Sequence, residues 1–446
     1  MKKVFLIAFF LLLFQISSFS QSEFNSHLPI DYILNEDEMR KDLDFLVQIL
    51  KEVHPATYYG FSEKQRKIIN KAYEKIKTPM SVDNFYFVLN TILWSFNDAH
   101  TSLWYKLSED DKILDVPIIW LKDGLYISED REMFEKGDKI IEISGKTPGQ
   151  ILMMLEQIIP SENIYFIKAR AETELLKEVY LKKLNLVNNG FVTIKIRRNW
   201  NILTFKVPLV KYTVSDKKKD EQFVNYYIDK DSNIAVFKLD KCIYDIKYIK
   251  AVKNFFQEVS ENKIDKVIVD LSKNPGGNSR VVYEFLRFID VDDIRTYGWI
   301  IRYSKQLSEK LFLTKKEGLE RFESTLYKNN KFYKKSILFN GKIYVMISKY
   351  TSSSAIIFAT TLKDNNIAKI IGEPSGNSPS HFGSIITFRL PVTNFIFSVS
   401  TTKLLRPQKD ERDKKTLFPD VVIYTTIDDI VNDVSIIEKA KKVVNF

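Results

Sequence analysis

The chain has 446 residues, of which 45% are hydrophobic and 28% are charged, and this composition excludes an intrinsically disordered protein. The 67 lysines and arginines exceed the 57 acidic residues and give a formal net charge of +10, but they are spread along the sequence. A solvated surface is therefore favoured over a nucleic-acid-binding patch. The single cysteine, Cys242, excludes an internal disulfide, and we expect it to be a small buried side chain.

Residues 1–20 have the pattern of a secretory signal peptide. Two lysines precede an apolar run from Val4 to Phe14, and small residues come before Gln21. Because this run is too short to span a bilayer comfortably, cleavage is favoured over an uncleaved anchor. We expect an exported protein, periplasmic or extracellular, that meets a membrane only during export and whose mature chain starts near Gln21.

Residues 21–110 are predicted to form an N-terminal helical domain. From Asn35 to His54, apolar residues recur at helical spacing behind an Asn that can cap the helix and acidic residues suited to its first turn. A second helix is expected from Val82 to Asn97, with Ser81 as its N-cap. These two patterns predict a pair of amphipathic helices.

Four histidines are available as a catalytic base. His100 lies in NDAHTSL, a polar break after the second predicted helix, where a base could be exposed. His54 has the position of a helix terminator, and His27 is expected in an exposed N-terminal segment. His381 lies in the loop segment SHFG and is interpreted as a pocket or structural residue.

Residues 111–212 and 213–446 show two different patterns. The first stretch has short alternating apolar runs separated by turn residues, with a helical insertion near 165–186, which predicts a small, mostly β domain. In the second stretch, strand and helix patterns alternate, which is typical of a layered α/β core. No internal repeat is evident.

Two predicted strand-to-helix junctions in the α/β half could carry chemistry. In VIVDLSKNPGGN, Gly276 and Gly277 could turn the backbone tightly and present N–H groups to an oxyanion, although a simple turn explains an isolated PGG as well. In SKYTSSSAIIFA, a serine at the start of a helix could be a nucleophile. Equally, Ser352, Ser353 or Ser354 could merely cap that helix.

These motifs, in this order, resemble peptidase family S41, which includes the tail-specific proteases and the tricorn core. VIVDLSKNPGG resembles the family's strand-plus-glycine signature, and TSSSAIIFATTLKD resembles its nucleophile helix. NDAHTSL is similar to the Asp-Gly-His-Thr segment, FPDVVI to the closing strand, and FEKGDKIIEISGKTPGQIL to half of a PDZ domain. The resemblance implies an α/β fold with a ClpP/crotonase-like layered core, an N-terminal helical segment and a PDZ-like, mostly β domain.

The resemblance also implies catalytic roles. Ser378 stands where one branch of the family has its lysine base, so the histidine-base branch is implied, with Ser353 as nucleophile and His100 as base. The orienting acid is then Asp413, which stands where the family has a Glu, or alternatively Glu411.

The implied oxyanion hole consists of backbone N–H groups of Gly276, Gly277 and Ser354, and a shift of register by one residue would make Ser354 the nucleophile. His381 is implied as a possible residue of the substrate pocket.

The resulting prediction is an exported serine peptidase acting on peptides or unfolded proteins, with no cofactor, no metal and no nucleic-acid partner. The family's usual Arg and Glu are replaced by Ser272 and Ile356, which favours an alternative: an inactive, peptide-binding member of the fold. A crotonase-type acyl-CoA enzyme is a third interpretation, which the expected export disfavours. The sequence predicts neither the oligomeric state nor whether the PDZ-like domain binds chain termini.

Overall fold

The computed structural model describes residues 27–213, 222–408 and 414–445. The expected signal peptide and both candidate orienting acids, Glu411 and Asp413, lie outside these described residues. Within the described ranges, no helix has both the length and the apolar character needed to cross a membrane.

The described residues form twelve helices and twenty-two strands, apart from two short 3-10 turns. The helices are α1 (Glu36–Val53), α2 (Glu63–Lys75), α3 (Val82–Trp94), α4 (Pro148–Leu155), α5 (Ile164–Glu174), α6 (Glu178–Lys183), α7 (Ile246–Glu261), α8 (Arg280–Leu286), α9 (Lys305–Leu311), α10 (Ser354–Asp364), α11 (Ile427–Val431) and α12 (Ile436–Asn445). The strands are β1 (Ile33–Leu34), β2 (Met80–Ser81), β3 (Ser102–Trp104), β4 (Lys112–Ile113), β5 (Ile118–Leu121), β6 (Gly124–Ile127), β7 (Lys139–Ile143), β8 (Phe191–Arg198), β9 (Asn201–Pro208), β10 (Val210–Lys211), β11 (Val224–Asp229), β12 (Ile234–Leu239), β13 (Lys266–Asp270), β14 (Asp293–Arg295), β15 (Gly298–Tyr303), β16 (Gly318–Phe322), β17 (Leu326–Lys328), β18 (Lys342–Ile347), β19 (Ala368–Gly372), β20 (Phe382–Arg389), β21 (Ile396–Leu405) and β22 (Val421–Val422). The predicted α/β fold class is confirmed.

Two of the three N-terminal helices, α1 and α3, were predicted, the second with a later end, whereas α2 was not predicted. Asn35 caps α1 in a capping box with Glu38, as a polar N-cap followed by an acid three residues later should. Helix α3 begins at Val82, as predicted, but ends at Trp94, before the expected Asn97, and the chain turns there towards His100. His54 does terminate α1, since it is the C-cap residue.

The expectation that His27 is exposed was wrong. Its side chain is only 5% exposed and its Nε2 lies 3.4 Å from a carboxylate oxygen of Asp111. The imidazole also packs against the ring of Tyr105 at 4.6 Å between centroids. The residues that cover His27 lie about eighty positions further along the chain, so a local sequence pattern could not reveal them.

Strands β5 to β9 form an antiparallel meander in which each strand pairs with the next. Its alternating positions Val192, Ile194 and Ile196 point into the core, as the alternating apolar pattern predicts. Helices α4 to α6 are inserted between β7 and β8, where the helical insertion was expected. The relation of this unit to PDZ domains stays a prediction.

The core sheet has six strands in the order β11-β12-β13-β18-β19-β22, and all neighbours except β11 and β12 are parallel. Both of its faces are covered, which explains the continuous apolar runs of its strands. Phe237 and Val269 pack on the side of α7, α8 and α10, while Val236 and Ile268 pack with α12. The carboxyl ends of β13 and β18 therefore lie side by side and lead into α8 and α10.

A second sheet connects the N-terminal domain to the core. Its order is β16-β15-β21-β20, and β3 joins it by pairing with β21, where Leu103 lies opposite Phe397. Strand β3 directly follows His100, and the hydroxyl of Ser398 donates to the carbonyl of His100 at 2.6 Å. This strand pairing holds His100 against the core domain.

Candidate active site

The two sequence-predicted junctions meet at the carboxyl edge of the core sheet. The loop after β13 and the loop after β18 are joined by side-chain and backbone hydrogen bonds. Thr351 donates its hydroxyl to the carbonyl of Leu271 at 2.8 Å, and the Ser352 N–H donates to the carbonyl of Asn274 at 3.1 Å. Ligands of open α/β sheets bind at such edges, which makes this the candidate active site.

Gly276 is required by a close approach of the two loops. A Cβ atom there would lie 2.5 Å from the Cβ of Ser353 and 2.9 Å from the backbone nitrogen of Ser354. Its φ of +104° also lies in the region that favours glycine. The glycine therefore allows the backbone of the first loop to lie directly against the serine junction.

The three consecutive serines have three different environments. Ser352 donates its hydroxyl to the carbonyl of Pro275 at 2.9 Å, and the fully buried Ser354 donates its hydroxyl to the carbonyl of Gly277 at 2.7 Å. The Ser353 hydroxyl forms no hydrogen bond within the described residues. Ser353 is thus the one serine of the three whose hydroxyl is not committed to holding the loops together.

Ser353 also has an unusual backbone. Its φ of +53° and ψ of −126° are a strained combination for a residue with a side chain. The Ser353 N–H is satisfied by the side chain of Asn377, whose Oδ1 accepts it at 2.9 Å. Strain of this kind at the start of a helix is found at functional sites, where surrounding contacts hold it.

The candidate oxyanion donors differ in availability. The Gly276 N–H donates to the Oδ1 of Asn274 at 2.8 Å, so it is engaged within the loop. The N–H groups of Gly277 and Ser354 make no hydrogen bond within the part of the chain that the structure describes. Ser354 is the first residue of α10, where a helix N-terminus favours negative charge. These two groups are the better placed donors.

His100 lies beside the buried carboxylate of Asp98. The His100 ring is 16% exposed, its Nδ1 lies 3.8 Å from Oδ1 of Asp98, and its backbone N–H donates to that same oxygen at 2.9 Å. Burial lowers the pKa of the imidazole against the opposing effect of the aspartate charge. The ring is thereby kept neutral, as a proton acceptor must be.

Asp98 is itself held by two partners from distant segments. Its Oδ2 lies 3.3 Å from Nε2 of His54 and accepts the hydroxyl of Ser400 at 2.7 Å. Burial alone would raise the pKa of Asp98, but the hydrogen bond of His54 and the charge that His54 and His100 carry when they are protonated at low pH hold it below its usual value. His54, predicted only as a helix terminator, is a fully buried partner of this carboxylate.

Glu162 connects this cluster to the serine junction. Its Oε2 accepts the amide N–H of Asn377 at 2.8 Å, and Asn377 is the residue that accepts the Ser353 N–H. Burial, followed by the negative charge of Asp98, raises the pKa of Glu162 to about 8. Two hydrogen bonds therefore lead from Ser353 to a carboxyl group beside His100.

His381 stacks on His100. The two rings are nearly parallel at 16°, with centroids 5.4 Å apart. The Nδ1 of His381 lies 2.9 Å from the carbonyl of Ser378, and burial with the nearby His100 lowers the pKa of His381 to about 3. His381 is only 2% exposed, so it lies behind His100 as a neutral ring and supports it sterically.

A cleft of about 1220 Å³ lies beside His100 and the serine junction. Its wall includes His100, Pro275, Ser352, Asn377 and Phe166, which come from all three parts of the chain. A cleft of this size with a few converging polar groups suits an extended ligand.

Helix α5 forms part of the wall of the cleft and is held there by contacts with the core domain. The carboxylate of Glu172 accepts the ammonium of Lys349 and the hydroxyl of Tyr350, both at 2.6 Å. Asn163 donates its amide to the carbonyl of Lys415 at 2.8 Å. These contacts hold the start of α5, and with it Glu162, against the core domain.

Asp98, His100 and Glu162 each offer an atom that could hold a metal ion, and these atoms lie within 4.8 Å of one another. This grouping was not expected from the sequence, which has no ligand spacing. Both oxygens of Asp98 already accept hydrogen bonds from protein groups, so the carboxylate is engaged without an ion.

The two departures from the family pattern both lie at buried positions. Ile356 is fully buried in α10, and the Ser272 carbonyl accepts the hydroxyl of Ser348. Ser378, at the lysine position, donates its hydroxyl to the carbonyl of Lys414 at 2.7 Å. None of these contacts occupies the Ser353 hydroxyl.

Sequence reasoning missed Glu162 and Asn377 as site residues and gave Asp98 no role. The Asp-x-His spacing was a usable signal for Asp98, since an acid two residues before a turn histidine can reach it. Glu162 and Asn377 lie in the ordinary loop segments SEN and SGNS, which carry no signal of their own.

Comparisons with known proteins agree with this fold. Residues 233–423 match the family model "Peptidase family S41". The fold is similar to mature CPAF, with a TM-score of 0.68, 16% identity and coverage of 92% of this chain and 97% of that chain. It is likewise similar to mature CPAF complexed with lactacystin, with a TM-score of 0.67, 16% identity and coverage of 92% and 98%. No curated protein matches the sequence.

Proposed function

Residues 233–423 match the model of peptidase family S41, and from that premise we propose that the protein hydrolyses peptide bonds with Ser353 as nucleophile and His100 as general base. The observation that carries this proposal is the hydroxyl of Ser353. It is uncommitted between two serines whose hydroxyls are both hydrogen-bonded, and it stands at a strained helix start whose first free N–H can serve an oxyanion.

The proposed reaction is ordinary acyl transfer. Ser353 Oγ attacks the peptide carbonyl while its proton passes to Nε2 of His100, and the carbonyl electrons move to the oxygen. The N–H groups of Gly277 and Ser354 stabilise that oxyanion. The proton then passes from His100 to the leaving amine as the C–N bond breaks, and water releases the acyl group by the same steps in reverse order.

The proposed substrates are peptides or unfolded segments of proteins. Support comes from the family of the core and from the open cleft of about 1220 Å³, which has room for several residues of an extended chain. We further propose export, on the strength of the N-terminal pattern alone. Mass spectrometry of the mature protein from the native host would test it, since a first residue near Gln21 is expected and a retained Met1 would contradict export by cleavage.

Labelling with a fluorophosphonate probe tests the nucleophile. We expect an adduct on Ser353 in the wild type, little label in Ser353→Ala and His100→Ala, and label at the wild-type rate in Glu156→Gln, a control at an exposed glutamate. Thermal melts confirm that each variant is folded. An adduct on Ser354 would move the nucleophile by one residue.

If the folded wild type takes no label and cleaves no unfolded protein, the peptidase proposal is overturned. Tight binding of peptides under the same conditions would then support the alternative of an inactive peptide-binding protein. Titration of a fluorescent unstructured peptide against the wild type distinguishes the two cases.

A further inference from the structure

One nitrogen of His100 and one oxygen of Glu162 are buried without a hydrogen-bond partner among the described residues, and each is of a kind that could pair with the other. Nδ1 of His100 and Oε1 of Glu162 are both buried, and each lacks a hydrogen-bond partner within the described residues. The two residues belong to one group with Asp98, in which the ligating atoms lie within 4.8 Å of one another. Leaving such atoms unpaired is unfavourable, so a short rearrangement that joins them is favourable.

The orientation of the amide that links Glu162 to Ser353 is fixed by a backbone group. The Ser353 N–H can only donate, so the atom of Asn377 that faces it must be the oxygen. The amide nitrogen of Asn377 therefore faces Glu162, and Oε2 of Glu162 must accept. With Oε2 engaged, Oε1 is the oxygen left for another partner.

Asp98 has little remaining capacity to serve the imidazole ring. Its Oδ1 accepts the backbone N–H of His100, and its Oδ2 takes the hydroxyl of Ser400 and faces His54. Its 3.8 Å separation from Nδ1 is longer than a hydrogen bond. Asp98 therefore acts on the His100 ring by its charge and makes no hydrogen bond to Nδ1.

We propose that Glu162 is the positioning residue for His100: its Oε1 accepts the Nδ1–H of the imidazole and so leaves Nε2 unprotonated for the hydroxyl of Ser353. This inference rests on the proposed roles of Ser353 and His100. The proton from Ser353 goes to Nε2, and the Nδ1 proton stays on the ring, so Glu162 gains no proton in the step. The carboxylate comes from the helical insertion of the middle domain, outside the segment that matches the family.

The protonation state of Glu162 then selects the tautomer of His100. An ionised Glu162 accepts from Nδ1, whereas a protonated Glu162 would donate to Nδ1 and place the ring hydrogen on Nε2, where it blocks proton uptake. The titratable groups facing this pair are Asp98, His54 beyond it, and His381 stacked on the ring. Because the carboxyl pKa is raised, the competent tautomer should predominate only towards alkaline pH.

The variant Glu162→Gln provides a sharp test, because Asn377 dictates which way the new amide points. Its oxygen keeps the hydrogen bond from Asn377, so its NH₂ group must face Nδ1 of His100 and donate to it. NMR of isotope-labelled histidine should show the Nδ1–H tautomer of His100 in the wild type at pH 9 and the Nε2–H tautomer in Glu162→Gln. The signal of His100 is assigned by its loss in His100→Ala.

The fluorophosphonate labelling rate gives the second readout. In the wild type it should rise as the pH passes through the alkaline range, and in Glu162→Gln it should fall by roughly a hundredfold or more and lose that rise. Glu162→Asp, which keeps a carboxylate, should retain the pH-dependent rise. The matched control is Glu156→Gln, an exposed glutamate at the end of α4, which should behave like the wild type.

An unchanged tautomer and labelling rate in folded Glu162→Gln would overturn the role of Glu162. A change of tautomer only in Asp98→Asn would assign the role to Asp98 instead, and a change only in Asp413→Asn or Glu411→Gln would assign it to the acid that the sequence predicts. Failure of the proposed function gives a different result. In that case the wild type takes no label at any pH, while the NMR comparison still reports the contact between Glu162 and His100.

Discussion

The serine side and the histidine side of the candidate site are built in different ways. The serine side consists of two neighbouring strand-to-helix junctions in one sheet, and its geometry is set by backbone contacts such as the approach of Gly276 to Ser353. On the histidine side, Asp98, His100 and Glu162 come from two other parts of the chain and meet through side chains. Asn377 is the hydrogen-bonded bridge between the two sides.

This difference separates two kinds of control over one reaction. Backbone contacts within a parallel sheet hold a nucleophile rigidly, because moving one loop requires moving a strand. Side-chain contacts between domains depend on docking, and their buried ionisable groups depend on pH. We therefore expect substitutions on the serine side to affect the reaction mainly by geometry, and those on the histidine side mainly by charge.

The largest effect is expected from Gly276→Ala. The added Cβ would lie 2.5 Å from the Cβ of Ser353 and must displace it, so the labelling rate should fall by roughly a thousandfold, comparable to the loss of an oxyanion donor. The matched control is Gly149→Ala, since nothing lies within 4 Å of a Cβ there. A folded Gly276→Ala protein that labels at the wild-type rate would disprove the close approach.

The second largest effect is expected from Asp98→Asn, which should lower both the stability of the fold and the labelling rate. The carboxylate accepts three hydrogen bonds in a fully buried place, so its loss should cost about 3 kcal/mol of unfolding free energy. Because the pKa of Asp98 is held low in the folded protein, its contribution is present at neutral pH and is lost as the pH falls below about 4, the ordinary aspartate value. Urea unfolding at pH 7 and pH 3 measures this, and an equal difference from the wild type at both pH values would contradict it.

Asn377→Ala removes the bridge and should affect both sides. The Ser353 N–H and the Glu162 carboxyl would each lose their partner, which should cost about 2 kcal/mol in stability. Labelling should slow as well, because the strained backbone of Ser353 is no longer held. Chemical unfolding and labelling on one preparation test the bridge, and a loss of stability without slower labelling would show that Asn377 is only structural.

The smallest effect is a gain in stability for Glu162→Gln at alkaline pH. A carboxyl whose folded pKa is raised to about 8 destabilises the folded state progressively as the pH rises above its unfolded value of about 4.3. The neutral amide avoids this, so the stability of the variant relative to the wild type should rise from pH 5 to pH 9. Glu156→Gln again serves as the control, and a Glu162→Gln variant whose stability relative to the wild type is the same at pH 5 and pH 9 would contradict the raised pKa of Glu162.

Prediction from the sequence was most successful where short-range patterns decide the structure. The helix N-cap at Asn35, the start of α10 at the serines and the strand-to-helix alternation of the core all depend on neighbouring residues, and all agree with the structure. The sequence also predicted that the two junctions could lie together, because the carboxyl ends of parallel strands in one sheet share an edge.

Prediction was least successful for buried polar side chains. His27 was expected to be exposed and is buried against Asp111, and His54 was given only a capping role although it contacts Asp98. In each case the partner is more than forty residues away, and a histidine on a loop has the same local pattern whether it is solvated or buried. The orienting role predicted for Asp413 or Glu411 stays a prediction, since both lie outside the described residues.

The sequence by itself determined the layered α/β core, the pair of glycines and the serine junction, because hydrophobic periodicity and turn residues act over a few positions. Only the tertiary structure decided which serine keeps a free hydroxyl, and which acids surround His100. Those choices depend on hydrogen bonds between segments about two hundred to three hundred residues apart, such as Asn377 with Glu162 and Ser400 with Asp98. Burial then turns such contacts into shifted pKa values, which no local pattern encodes.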